Sequence, residues 1–148
     1  MRHRRGFTVL ELVVVIMVGA VLTTIAIRSL GGVQSRMSVR QARNVFASMH
    51  ARARAQAVEF GENVLLEVDT GGDSIWVTRA GTVLEVIRFQ NEMGVDITGS
   101  ASTYTVCMNS RGFATESCNS FNTAVTLGFA QGGETASLQI LPLGQVIY

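Results

Sequence analysis

Twenty-one residues, Phe7 to Ile27, contain one charged side chain, Glu11, and Arg2, Arg4 and Arg5 stand just before them. At about 1.5 Å per residue, a helix of that length spans roughly 30 Å, the thickness of a bilayer's hydrocarbon core. The run therefore predicts a membrane-spanning helix, its short basic tail cytoplasmic and the rest of the chain exported. Glu11 is the anomaly. A carboxylate inside such a run costs about 2.5–3.5 kcal/mol on the insertion scale. A secretory signal cut near Val18-Gly19-Ala20 or Thr24-Ile25-Ala26 has no reason to carry it, and neither has a plain anchor.

The residues around the glutamate supply a reason. "RRGFTVLEL", residues 4–12, resembles the class III signal of type IV pilins and type II secretion pseudopilins. In that family a prepilin peptidase cuts after the glycine on the cytoplasmic side, and the new N-terminal residue is N-methylated. The resemblance implies cleavage between Gly6 and Phe7, N-methylation of Phe7, and an assembly role for Glu11. Two lone charges in hydrocarbon are each unfavourable, but the amine of one subunit and the carboxylate of its neighbour neutralise one another. The same groups can also pair within one chain. Many pilins carry a proline just after the apolar run, where this chain has Arg28. The nearest weak point in the helix is Gly31-Gly32, each glycine costing about 1 kcal/mol against alanine.

Charge is divided unevenly along the 148 residues. Residues 1–58 carry nine arginines and one acid, residues 59–148 three arginines and ten acids, and there is no lysine. Such asymmetry points to a membrane surface, nucleic acid or a neighbouring copy as partner. From Leu30 to Phe60 the sequence reads as an amphipathic helix. Its apolar positions are Leu30, Val33, Met37, Ala42, Val45, Phe46, Met49, Ala53 and Ala57, at mostly three- and four-residue steps. Arg36, Arg40 and Arg43 fall at i, i+4 and i+7 as a basic contact stripe, followed by Arg52 and Arg54. The stripe suits phosphate of lipid or DNA, or acidic groups of a neighbouring subunit, which the acidic C-terminal half supplies.

After Gly61 the period drops to two. "NVLLEVD", "SIWVTR", "TVLEVIRF", "YTVCM", "AVTLGFA" and "TASLQIL" read as strands, with turns at "TGGD", "AGT" and "QGGE". Residues 91–102 are less regular, and "LGQVIY" after Pro142 reads as a short closing strand. The expected fold is α+β: a long N-terminal helix, membrane-spanning in its first half and amphipathic in its second, packed on a C-terminal antiparallel β-sheet. The expected divisions are a leader (1–6), a transmembrane and assembly helix (7–28) and a periplasmic pilin-like domain (29–148). The last holds the amphipathic helix (30–60) and the sheet (63–148).

"RGFAT" (111–115) and the terminal "LQILPLGQVIY" are similar to the GspH/FimT group of minor pseudopilins. DNA-binding relatives place arginines in the closing segment; here Gln145 follows Gly144 and no arginine occurs. Cys107 and Cys118, the two cysteines, can form a disulfide in an oxidising periplasm or stay as buried thiols. His3 and His50 lie far from them in sequence, so no metal site is expected. Nothing assembles into a catalytic grouping or cofactor cradle. The expectation is therefore a non-enzymatic minor pilin or pseudopilin, single-pass in the inner membrane with its C-terminal domain in the periplasm. It carries no cofactor. Its partners are other pilins or pseudopilins, the inner-membrane assembly platform and the processing peptidase. A DNA-binding minor pilin acting in DNA uptake is the alternative, with nucleic acid not expected as the partner.

Overall fold

A computed structural model describes residues 8–115 and 117–148, with the backbone alone for 27–30. Helix α1 runs from Val9 to Phe60 and ends at Gly61. The chain divides into two compact units, residues up to Gln34 and Ser35–Tyr148. In the first, the apolar side chains from Val9 to Ile25 are all exposed. An 18-residue window of this helix has mean hydropathy 2.6, so it is long and apolar enough to cross a membrane. Its two threonines are suited to that role, because Thr23 and Thr24 donate their hydroxyls to the carbonyls of Gly19 (2.8 Å) and Ala20 (2.9 Å). Their polar atoms are thus satisfied inside the helix.

In the second unit, α1 is followed by β1 (Val64–Asp69), β2 (Ser74–Arg79), β3 (Thr82–Arg88), α2 (Phe89–Met93) and β4 (Asp96–Thr98). Then come β5 (Thr103–Met108), β6 (Val125–Gln131), β7 (Glu134–Ile140) and β8 (Val146–Ile147). The strands form two antiparallel four-stranded sheets, ordered β3-β2-β1-β5 and β4-β6-β7-β8. Alternation builds the inner face of the first sheet: Val64, Leu66, Val68, Ile75, Val77, Tyr104, Val106 and Met108 are buried. Ile97, Val125, Leu127, Phe129, Leu138 and Ile140 do the same in the second.

The helix meets this core through Val39, Ala42, Phe46, Met49, Ala53 and Ala57. Phe129 of β6 stands between Phe46 of α1 and Phe89 of α2, with ring centroids 6.0 and 5.7 Å away, joining both helices to the second sheet. The expected helix face needs correction at its start. Met37 is 66% and Val33 53% exposed, while Val39 is buried. Projected back from Ala42 and Phe46, the core-facing stripe passes through Val39; Met37 lies off it. The Leu30 side chain lies outside the described residues.

Three other details differ from the sequence reading. The sheet is two sheets, because β4 pairs with β6 and not with β3. Phe89, read as the end of a strand, begins α2, and the irregular stretch holds the end of α2 and β4. The closing strand shrinks to Val146–Ile147, because Leu141 to Gln145 turn back on themselves: the Gly144 N–H bonds the Leu141 carbonyl and the Leu141 N–H that of Gln145 (both 2.8 Å).

The sheet margins are unequal. β4 has three residues and β8 two. The outer edge of β5 is covered by the following loop, with Thr115 N–H on the Cys107 carbonyl (2.9 Å) and Ser120 N–H on that of Thr105 (3.1 Å). β3 is seven residues long and is bordered by β2 alone. It exposes Val83 (52%), Leu84 and Val86 (43%).

Candidate functional site

Gly6 and Phe7, the expected processing residues, lie outside the described residues. The residues just after them are informative. The Glu11 N–H donates to the Thr8 hydroxyl and the Leu12 N–H to the Thr8 carbonyl, both at 3.2 Å. Thr8 is thus the N-cap of α1 and Glu11 occupies its first turn. Thr-x-x-Glu is the spacing of a capping box, a signal legible in the sequence and not used there. It gives the carboxylate a local role as well, since a negative charge in the first turn complements the helix dipole.

The arginines of the expected stripe have different surroundings. Arg36 donates from Nε to Glu134 Oε1 at 2.7 Å, and Arg52 from Nη1 to Glu85 Oε1 at 2.7 Å. Both arginines are well exposed, so each pair contributes at most about 1 kcal/mol. Arg43 lies over the Tyr148 ring, 5.1 Å from its centroid. Arg40 is exposed and joins no ion pair among the described residues. Arg54 points elsewhere, donating from Nε to the Gly112 carbonyl at 2.6 Å.

That last bond belongs to a network sequence reasoning did not assemble. "RGFAT" and the closing turn, some thirty residues apart in sequence, meet: the Ala114 N–H donates to the Leu143 carbonyl at 3.1 Å. His50 of α1 is buried among them. Burial lowers its pKa from 6.5 to about 4, with the charge of Arg54 acting in the same direction and a hydrogen bond with the Gly144 backbone opposing both. The imidazole is therefore neutral near pH 7, and its Nε2 finds no hydrogen-bond partner among the described residues. Arg111 and Phe113 of the same loop are exposed.

Cys107 of β5 and Cys118 of the loop are joined as a disulfide, Cα to Cα 5.6 Å. The next residue is the hub. Asn119 accepts the Cys107 N–H on Oδ1 (2.8 Å) and donates from Nδ2 to the Pro142 carbonyl (3.0 Å). One asparagine, fixed by its neighbouring cysteine, thus ties β5 to the closing turn. Among the described residues, no three His, Cys, Asp or Glu side chains come together as metal ligands would.

Residues 1–27 match the family described as prokaryotic N-terminal methylation motif. The fold is similar to two crystal forms of the type IV minor pilin FimU of Pseudomonas aeruginosa PAO1, both at 16% identity. One match has a TM-score of 0.56 and covers 76% of this chain and 88% of that one; the other has 0.52, with 73% and 90%. No match was found among curated proteins. The chain thus joins an N-terminal methylation motif to a pilin-like α+β fold.

Proposed function

We propose that the protein is a minor pilin or pseudopilin subunit of a type IV pilus or type II secretion system. In this reading residues 1–6 are a leader removed by a prepilin peptidase after Gly6, and Phe7 is N-methylated. Residues 7–28 hold the subunit in the inner membrane, single-pass, with the domain from residue 29 onward in the periplasm. Other pilins or pseudopilins, gathered at the assembly platform, are its partners. Glu11 then neutralises the Phe7 amine of an adjoining subunit, so that two charges enter the apolar layer together. The protein is a structural part and not an enzyme.

One observation carries the reading: a methylation motif over residues 1–27 leads into an exposed apolar helix on the same chain as a FimU-like domain. The DNA-uptake alternative has less support. Arg36 and Arg52 are engaged by Glu134 and Glu85 within the chain. From residue 31 onward eight arginines face ten acids, a net charge of −2 that repels DNA at long range. Mass spectrometry after expression with a prepilin peptidase tests the proposal. It should find a chain beginning at methylated Phe7; a start at Val21 or Ile27 would mark an ordinary signal peptide and reject it.

A further inference from the structure

Between α1 and the start of β7 lies a cleft of about 420 Å³, walled by Arg36, Arg40 and Arg43 on the helix and by Glu134 and Thr135 on the strand, with Val39 also lining it. Three guanidinium groups face one carboxylate, and that carboxylate is taken by Arg36 at 2.7 Å. Two positive charges are left. Arg40 and Arg43 are one turn apart, which places their Cβ atoms about 5–6 Å from each other and lets both forks reach one ligand. A second observation is independent of the charge count. The Nε atom of Arg43 is buried and makes no hydrogen bond among the described residues, a condition normally removed by an acceptor.

From this geometry we infer that the cleft is a binding site for a phosphate-type oxyanion. A phosphate group carries up to two negative charges and three terminal oxygens, which match two guanidinium forks and the Thr135 hydroxyl. A single carboxylate supplies one charge and two oxygens, and leaves one fork unsatisfied. The Tyr148 ring under Arg43 holds that guanidinium in place without consuming its charge. The oxyanion comes either from soluble phosphate or from a lipid headgroup that ends in a phosphate monoester. The site does not depend on the assembly role proposed above.

The test uses the full-length chain in uncharged detergent or in nanodiscs, reading the Arg43 Nε–H resonance by NMR. Inorganic phosphate, titrated at constant ionic strength against chloride, should shift that resonance saturably. Arg40→Gln, at a solvent-exposed position, should weaken binding about tenfold or more through loss of one charged fork. Arg43→Lys keeps the charge but removes the Nε–H; binding should fall similarly, now read on amide signals around Thr135. Arg88→Gln on β3 should leave it unchanged. Movement of the Arg43 signal in phosphatidic acid nanodiscs, reversed by added phosphate, identifies a lipid source; movement with soluble phosphate alone identifies a soluble one. A phosphate response no larger than that of chloride, or phosphate binding by the Arg40 and Arg43 variants as tight as that of the unchanged protein, overturns the inference. So does saturation by a hexaglutamate peptide with no response to phosphate.

Discussion

A methyl group placed on Gly144 would lie 2.7 Å from the Ala114 side chain and 3.1 Å from the Ala114 nitrogen. The two backbones touch there, where the loop after β5 meets the closing turn, and Gly144 adopts φ +77°. Glycine is required twice over, by space and by backbone conformation. Gly144→Ala should therefore destabilise the domain by about 1–3 kcal/mol, measured by thermal unfolding. Adding Ala114→Gly should recover only the steric part.

His50 makes stability depend on pH in a defined direction. Its folded pKa, about 4, lies below the ordinary 6.5, so the unfolded chain binds the proton first as pH falls. Titration of the histidine adds almost nothing at neutral pH. Its penalty begins near pH 6.5, grows as pH falls to about 4 and then levels off, up to about 3 kcal/mol. Comparing unfolding midpoints of the protein and of His50→Gln between pH 7 and 4 checks this. The carboxylates titrate in both proteins, so the difference between the curves isolates the imidazole; parallel curves would remove it from the account.

Reducing Cys107–Cys118 should loosen the closing turn as well as the loop. The short closure contributes about 3 kcal/mol if its entropy dominates. Asn119 carries the effect to Pro142. Amide exchange at Cys107, Ala114 and Gly144 should therefore accelerate together on reduction, while exchange in β6 is unaffected. Asn119→Ala in the oxidised protein should reproduce the effect at Cys107 and Gly144.

Glu11→Val separates membrane insertion from assembly. Removing the carboxylate makes insertion easier and leaves the proposed peptidase site, Gly6 and Phe7, unaltered. Processing should proceed as before, while cross-linking to co-expressed pilins or pseudopilins falls. Glu11→Gln adds a control: it retains the polarity suited to the helix's first turn and loses the charge, so it should assemble as poorly as the valine variant if amine neutralisation is the role. Cross-linking equal to that of the unchanged protein in both variants would make Glu11 dispensable for assembly.

The strands and the helix were legible because one residue type at one spacing decides them. Val64, Leu66 and Val68 alternate, and Ala42, Phe46, Met49 and Ala53 recur at helical steps. What the sequence concealed depends on distant partners. Met37 and Val39 both suit a helix face, and only packing against distant strands decides that Val39 is the one buried. The separation of the strands into two sheets is set by β4 pairing with β6, which no local pattern announces. The contact of "RGFAT" with Gly144, and the placement of His50 beside it, arise only when the helix, loop and closing turn pack. In the stripe, identical arginines acquired different partners because Glu134 and Glu85 reach only two of them.

The unequal sheet margins set a limit on growth. A sheet with two open edges can add strands indefinitely, and that is how fibres lengthen. Here three of the four margins are very short or covered, leaving the seven residues of β3 as the one long free row of donors and acceptors among the described residues. Pairing through that row would consume it. If copies of the domain meet there, association stops at two, because the resulting eight-stranded sheet ends on both sides in a β5 already capped by its own loop.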